Sequence, residues 1–173
     1  DISEGRFGVA LLNDCKYGCC LQGNTIDLSL LRAPKFPDWE ADRGEQCFTY
    51  SFLPHPNDAT TSTVHVEALQ LNRPPCCFDG FSGTPELPVA IDSESVELTA
   101  LKKAEKDSCL VMRLVERGGR HAKAVIRTTL RIQETSMLEW EDGQVMDSSD
   151  GTVSITFKPF EIKTFKLLEK EIS

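Results

Sequence analysis

Long apolar runs and an excess of basic residues are both absent from this sequence of 173 residues. No stretch is apolar and long enough to build a signal peptide or a membrane span. The 27 acidic residues outnumber the 19 basic ones, and the formal net charge is −8. A chain of this charge is repelled by phosphate polymers and anionic lipid surfaces, so we expect neither a nucleic acid nor a membrane as its partner.

The short motifs of several common enzyme classes are absent as well. The sequence has neither GxGxxG nor a P-loop, so it predicts no backbone cradle for the phosphates of a nucleotide. The GxSxG turn of α/β-hydrolases is also missing, because the nearest string, residues 79–83, lacks its spacing. A pair of carboxylates for glycoside hydrolysis stays open, since its two members can come from different loops. Glu40 with Asp42 and Glu141 with Asp142 lie in polar segments and are most simply solvated loop charges.

Histidine is scarce, and the three histidines stand far apart at positions 55, 65 and 121. None has a second metal ligand at the short spacing that hydrolytic metal sites use. The sequence therefore favours surface or core histidines over a metal centre.

Cysteine is the residue type whose number stands out, with seven in the chain: Cys15, Cys19, Cys20, Cys47, Cys76, Cys77 and Cys109. The odd count and the two adjacent pairs make a poor disulfide framework, and no zinc-type spacing occurs. This pattern predicts free thiols, buried or half-buried, in a reducing cytoplasm. Two sharper alternatives are a metal site built from the first four cysteines and a nucleophilic Cys47 or Cys76 beside a histidine.

Alternation of apolar and polar residues predicts an all-β chain. In the first half it marks strands at 7–12, 19–21, 25–31 and 47–53. In the second half it marks strands at 96–102, 109–116, 123–132, 137–141, 152–158 and 160–168, with hairpin-type connections at 117–120 and 147–151. About six short strands in the last 85 or so residues are typical of a β-sandwich.

Two segments break the strand pattern. Residues 59–71 carry apolar residues at helical spacing, and we expect a short helix there with Asp58 as its cap. Residues 76–86 belong to a stretch dense in proline and glycine without periodicity, which predicts a linker between two domains.

Exposed aromatic rings are how many β-sandwiches bind sugars, and the chain has two tryptophans. Trp39 lies in a proline-rich loop and is the better candidate for sugar stacking. Trp140 alternates into the predicted strand at 137–141, so we expect it to pack in the interior.

Several phrases of the sequence, in order, resemble the C-terminal region of the family 38 glycoside hydrolases, the α-mannosidases of cytosolic and bacterial type. In the first half the similarity lies in residues 8–18, 28–34, 37–38 and 48–50. In the second half it lies in residues 98–105, 113–116 and 157–164. The sequence departs from the family pattern at Cys19 with Cys20 and at Cys76 with Cys77.

The resemblance implies a particular architecture: part of a β-supersandwich followed by a small antiparallel β-sandwich. On this basis residues 1–75 are the closing strands of the supersandwich, 76–86 the linker and 87–173 the terminal sandwich. The start at Asp1 without a methionine is then expected to be a cut made just before the strand at 7–12.

The resemblance also implies a function for the parent protein, a retaining α-mannosidase that hydrolyses terminal α-D-mannosyl residues of mannose-containing oligosaccharides. Zinc or another divalent metal is implied for its catalytic domain, whose ligands and carboxylates have no match here, so we expect no catalytic residue and no cofactor in this chain. The chain alone is expected to be inactive and to complete the scaffold. Arg32 is the implied substrate-binding residue, with Asn13 second; the plain alternatives are a surface ion pair for Arg32 and a turn-forming Asn13.

Two further hypotheses stay open at this point. One is a stand-alone carbohydrate-binding β-sandwich module that uses Trp39, and the other is a cysteine-based enzyme or metal protein. If the chain is a fragment of a supersandwich, its open strand edges and apolar faces lead us to expect a homo-oligomer.

Overall fold

The computed structural model describes residues 1–80, 83, 87–146 and 150–169. Within these ranges there are thirteen strands and one helix, and every strand pair is antiparallel, so the all-β prediction is confirmed. The chain divides into two compact units between residues 81 and 82. Parts of the predicted linker 76–86 and of the predicted connection 147–151 lie outside the described residues.

The first unit contains one helix and two small sheets. Its elements are β1 (Ile2–Glu4), β2 (Phe7–Asn13), β3 (Cys19–Gln22), β4 (Thr25–Leu28), β5 (Tyr50–Pro56) and α1 (Val64–Asn72). Strands β1, β2 and β5 form one sheet with β2 in the centre, and β3 with β4 forms the predicted hairpin.

The three-stranded sheet has two unlike faces because side chains alternate along each strand. Ala10, Leu12 and His55 are buried on one face, and α1 packs against β2. The other face carries Phe7 and Phe52, which are more than half exposed. The first unit thus leaves one apolar sheet face uncovered.

The second unit is a sandwich of two antiparallel sheets. Its strands are β6 (Ala90–Asp92), β7 (Val96–Lys103), β8 (Leu110–Glu116), β9 (Ala122–Arg127), β10 (Arg131–Thr135), β11 (Asp142–Met146), β12 (Thr152–Phe157) and β13 (Ile162–Leu168). One sheet has the order β11-β10-β13-β8-β7 and the other β12-β9-β6.

A single apolar core lies within this second unit. Its members are Val89, Val96, Met112, Leu114, Ala124, Ile126, Ile132, Val153, Ile155, Phe157, Phe165 and Leu167. Most of them alternate along strands with exposed or half-exposed residues, as in Thr152–Phe157. Each large side chain buried in this way contributes about 1.5–3 kcal/mol to folding.

The segment predicted as one strand at 123–132 is instead two strands in different sheets. The break lies at Thr128, whose hydroxyl donates to the Pro88 carbonyl at 2.8 Å and accepts the Leu130 amide at 3.1 Å. These hydrogen bonds turn the chain from β9 into β10. Local alternation continues through the turn, which is why the sequence did not indicate the break.

The prediction of a strand at 137–141 is wrong, because these residues form the tight turn between β10 and β11. The Ser136 hydroxyl accepts the backbone amides of Trp140 and Glu141 at 3.2 and 3.3 Å. Glu139 has a φ of +63°, a left-handed conformation that ends any extended path. Strand β11 therefore begins only at Asp142.

The predicted helix exists, but its predicted cap is wrong. Helix α1 begins at Val64, its N-cap position is Thr63, and Asp58 lies five residues before Thr63. The Asp58 carboxylate accepts the amides of Thr60 and Thr61, so it stabilises a local turn rather than the helix. At nine residues α1 falls far short of a membrane span, and no other helix occurs in the described ranges.

Strand β5 begins at Tyr50 and runs through Pro54 to Pro56, later than the predicted range 47–53. Proline is tolerated there because β5 lies at the edge of its sheet, where one side of the strand needs no hydrogen-bond donors.

Candidate functional site

A shallow depression of about 250 Å³ lies in the first unit beside the β3–β4 hairpin. It is lined by Lys16, Gly18, Ser29, Leu30, Leu31, Arg32 and Asp42. The Ser29 amide donates to the Gly18 carbonyl at 2.8 Å, which continues the hairpin pairing beyond β4. The chain then delivers Arg32 to the rim of the depression.

The loop after Arg32 is held in an unfavourable backbone conformation by one side chain. Ala33 and Asp42 have φ values of +45° and +60°, which cost free energy for residues other than glycine. The Ala33 amide donates to the Asp42 carboxylate at 2.8 Å and closes the loop across nine residues. This hydrogen bond places an acidic group next to Arg32 in the depression.

Asp14 connects the turn after β2 to the segment just before β5. Both of its carboxylate oxygens accept the Thr49 amide at 3.0 Å, and its own amide donates to the Thr49 carbonyl at 3.1 Å. Hydrogen bonds from the Cys15 thiol and then from the Thr49 amide lower the pKa of Asp14. The hydrogen bond between Cys15 and Asp14 also raises the pKa of the Cys15 thiol. Asp14 is therefore ionised at neutral pH and ties the loop to the start of β5.

Arg32 is exposed, and among the described residues no carboxylate forms an ion pair with its guanidinium. The ammonium of Lys16, which also lines the depression, lies 4.9 Å from the centre of the Phe48 ring. The depression thus offers two cationic donors, the Ser29 hydroxyl and one carboxylate. This set can hydrogen-bond a polyhydroxylated ligand but contains no nucleophile with an adjacent base.

Asn13 does not line the depression. Its side-chain oxygen accepts the Lys16 amide at 2.6 Å, and its carbonyl accepts the Asn72 side chain at 3.1 Å. Asn13 thereby shapes the turn that carries Lys16, and contact between Asn13 and a sugar stays a prediction.

The sequence did not single out Lys16 or Ser29 for this site. Lys16 lies in a turn and Ser29 just beyond a strand, positions where polar residues are ordinary. Ser29 lies three residues before Arg32, whereas the segment of Lys16 is joined to it by the hydrogen bond from the Ser29 amide to the Gly18 carbonyl, a contact that no signal along the chain identifies.

The seven cysteines are free, and the predicted burial is wrong for most of them. Cys109 is half-buried, and the other six are exposed because they lie in loops or in the two-stranded hairpin. In the part of the chain that the structure describes, no group of three histidine, cysteine or acidic residues could hold a metal ion.

Among the histidines, His55 is buried and its Nε2 lies 2.6 Å from the Asp1 carboxylate. That contact is structural, because it fastens β1 to β5. The carboxylates that the sequence offered as pairs lie in different environments. Asp42 lines the depression, whereas Glu40 pairs with the exposed Arg43. Asp142 pairs with a buried lysine of the second unit.

Both tryptophans are exposed, Trp39 by 70% and Trp140 by 68%. The expectation that Trp140 packs in the interior is therefore wrong. Its place in a turn, rather than in a strand, removes the alternation on which that expectation depended.

Comparison with known proteins gives matches in both halves of the chain. A family profile described as "Glycosyl hydrolases family 38 C-terminal domain" matches residues 1–40. A second, "Glycosyl hydrolases family 38 C-terminal beta sandwich domain", matches residues 95–165.

Similar curated proteins include "Alpha-mannosidase 2C1" of Mus musculus and of Homo sapiens, each 36% identical over 97% of this chain. "Alpha-mannosidase G" of Dictyostelium discoideum is 34% identical, also over 97% of the chain. The chain spans only 17%, 17% and 16% of the length of these three relatives.

Proposed function

The chain belongs to glycosyl hydrolase family 38, and on that premise we propose that its parent protein hydrolyses terminal α-D-mannosyl residues of mannose-containing glycans. The observation that carries the proposal is the similarity to proteins named α-mannosidase over 97% of the chain. Within the parent, this chain is a non-catalytic part that completes the scaffold and borders the sugar site.

The chemistry of the depression supports a non-catalytic role. Retaining glycoside hydrolysis needs two carboxyl groups across the scissile bond. Asp42 is the one carboxylate among the described residues that line the depression, and it is engaged with the Ala33 amide. The family resemblance also implies zinc or another divalent metal in the parent, but the described residues supply no fitting ligand set. We therefore assign no step of the reaction to this chain.

The uncovered sheet face of the first unit supports the scaffold role. An apolar trough of about 410 Å³ lies along this face, lined mainly by Phe7, Val9, Leu11, Ile26 and Phe52. Exposed apolar surface of this kind often marks a place where another part of a protein packs. We assign residues 1–75 to the closing strands of a larger β-supersandwich, 76–86 to a linker and 87–173 to the terminal sandwich.

The same face supports self-association of the chain when nothing else covers it. We expect a homo-oligomer, and light scattering of the pure chain should give a mass above the monomer that falls on dilution. A strictly monomeric mass at high concentration would contradict this expectation.

A cytoplasmic location is supported by the cysteines. Seven free thiols, six of them exposed, persist in a reducing compartment and would oxidise outside it.

The main proposal is tested by comparing the chain with the full-length protein on an aryl α-mannoside. The full-length protein should hydrolyse it and this chain alone should not. Chelator-sensitive turnover by the pure chain would show that the chain is catalytic, and an inactive full-length protein would remove the α-mannosidase assignment.

Arg32 is proposed to hydrogen-bond substrate hydroxyls at the border of the sugar site. In the full-length protein, Arg32→Ala should lower kcat/KM between about 10- and 100-fold, because a charge-assisted hydrogen bond contributes roughly 1.5–3 kcal/mol. The matched control is Arg43→Ala, since Arg43 lies in the same loop, is paired with Glu40 and does not line the depression. Equal effects of the two substitutions on kcat/KM would contradict the assignment.

A second candidate function is a stand-alone carbohydrate-binding module, which the exposure of Trp39 favours. Titration of the chain with mannose oligosaccharides, with and without Trp39→Ala, separates the two. Saturable binding that Trp39→Ala abolishes, in a protein without mannosidase activity, would favour the module.

A further inference from the structure

The turn between β10 and β11, residues 136–141, exposes three large apolar side chains that neither the core nor the proposed function uses. Met137 is 52% exposed, Leu138 62% and Trp140 68%. We call these three side chains the turn patch.

The backbone beneath the turn patch is fixed by hydrogen bonds. The Ser136 hydroxyl accepts the amides of Trp140 and Glu141, and the Ser136 amide donates to the Glu141 carbonyl at 3.0 Å. The Arg113 guanidinium donates to the Met137 carbonyl at 2.9 Å. A ligand on this turn would therefore not have to order the chain, which is a main cost of binding.

The buried Glu139 side chain connects the turn to residues 102 and 105. It is buried with a left-handed φ of +63°, and its carboxylate accepts the Glu105 amide at 2.8 Å and contacts the Lys102 ammonium at 2.7 Å. The hydrogen bonds from Lys102 and then from the Glu105 amide lower the pKa of Glu139, so it is ionised at neutral pH. Its strained backbone is held in place by these contacts.

One face of the Trp140 ring is already occupied. The Lys106 ammonium lies 5.1 Å from the ring centre, a cation–π contact that favours one orientation of the indole. Trp140 is nevertheless 68% exposed, so most of the residue lies open to solvent.

The size of the turn patch decides what can cover it. From typical side-chain areas, its exposed part amounts to about 400 Å². Patches of roughly 300–600 Å² on monomers are often functional, but a stable protein interface needs about 800 Å² per partner. The patch is thus too small for a stable protein partner and large enough for one or two sugar rings. Lys106, Glu105 and Glu141 are exposed around it and can hydrogen-bond hydroxyl groups.

We propose that the turn patch is a glycan-binding surface, in which Trp140 stacks on the apolar face of a hexose while Glu141, in the same turn, hydrogen-bonds its hydroxyls. The surface would hold a glycan without cleaving it. Its assignment to mannose-containing oligosaccharides rests on the proposed function, whereas the surface itself follows from the second unit alone.

The two tryptophans allow a direct test on the pure chain with methyl α-mannoside and an α-mannobiose as probes. Trp39→Phe leaves Trp140 as the sole tryptophan, and its fluorescence should change saturably at millimolar sugar. Trp140→Phe leaves Trp39, and its fluorescence should not change. In calorimetric titrations Trp140→Ala should weaken binding at least tenfold, whereas Trp39→Ala should leave it unchanged.

The inference is overturned if Trp140 fluorescence does not respond, or responds equally to glycerol. It is also overturned if Trp140→Ala abolishes self-association of the chain without an effect of sugar, because the patch is then a protein contact. Saturation by another hexose oligosaccharide and not by mannosides would overturn the mannoside assignment. Turnover is not measured, so inactivity of the full-length protein would leave these results unchanged.

Discussion

Replacing Glu116 by glutamine is expected to lower the free energy of unfolding of the second unit by about 3 kcal/mol. The Glu116 side chain is fully buried, and its carboxylate accepts the backbone amides of Gly118, Gly119, Arg120 and Phe160 at 2.8–3.2 Å. An amide side chain presents an NH₂ group to donors that need an acceptor. Each buried donor left unsatisfied costs about 1–3 kcal/mol, so the combined loss is large.

The pH dependence of stability follows from the same carboxylate. Burial raises the pKa of Glu116, but hydrogen bonds from the Phe160 amide, the Ser95 hydroxyl and the Gly118 and Arg120 amides outweigh it and lower the pKa from 4.5 to about 2. A carboxylate with a lowered pKa stabilises the fold fully above its unfolded pKa. Its contribution is lost as the pH falls from 4.5 towards 2. The Glu116→Gln chain should lack this part of the acid destabilisation.

Urea unfolding at pH 7 and at pH 3, with hydrogen exchange of the β8 and β13 amides as the readout, measures the loss of stability and its pH dependence. Glu94→Gln is the matched control, because the Glu94 side chain is 91% exposed and meets Arg120 only at 3.3 Å. Surface ion pairs of this kind contribute at most about 1 kcal/mol. A Glu116→Gln chain as stable as the control would show that the buried carboxylate does not hold the turn at 118–120.

Replacing Lys166 by alanine is the second substitution expected to have a large effect, about 3 kcal/mol. Lys166 is only 5% exposed, and its ammonium contacts Asp107 at 2.6 Å and Asp142 at 2.7 Å. Hydrogen bonds to Asp107 and Asp142 raise the pKa of Lys166 above its ordinary value of 10.5. Without the lysine, two carboxylates remain close together with no cation between them.

The stability contributed by Lys166 changes with pH in the opposite direction to that contributed by Glu116. A lysine with a raised pKa stabilises the fold fully below its unfolded pKa of 10.5, and the contribution is lost only as the pH rises beyond it. Wild-type stability should therefore show no loss from Lys166 between pH 7 and 10.

Arg127→Ala is the control for Lys166→Ala. Arg127 also contacts a carboxylate, Asp92 at 3.1 Å, but the two side chains are 65% and 69% exposed. Solvent screening should make the loss of stability there much smaller. Hydrogen exchange of β11, which begins at Asp142, should accelerate in Lys166→Ala and much less in the control. Equal acceleration in both would mean that burial does not decide the strength of these ion pairs.

The strands of the second unit show which features alternation of apolar and polar residues can predict and which it cannot. Residues 152–157 alternate regularly between core and solvent, and the sequence places this strand to within one residue. At Thr128 the same alternation runs through a change of sheet, because the hydroxyl contact with Pro88 that turns the chain is forty residues distant in sequence. Periodicity describes a segment and carries no information about such a partner.

Exposure of particular side chains was equally beyond prediction. Trp140 occupies a position that alternation assigns to the interior, yet the turn imposed by Ser136 and Glu139 directs it to solvent. The cysteines resemble small core residues by type, but six of them lie in loops or in a hairpin without a covering layer. In each case the environment is decided by elements distant in the chain.

The sequence by itself determined the all-β class, the order of most strands and membership of glycosyl hydrolase family 38, because each is carried by contiguous phrases and local alternation. It also singled out Arg32 as a candidate substrate-binding residue, because Arg32 lies within a family phrase, residues 28–34. Only the tertiary structure decided that Lys16 and Asp42 share a depression with Arg32, and that Glu116 and Lys166 are buried and fully partnered. Those facts depend on hydrogen bonds and packing between segments distant in sequence, where chain closure rather than local propensity sets the geometry.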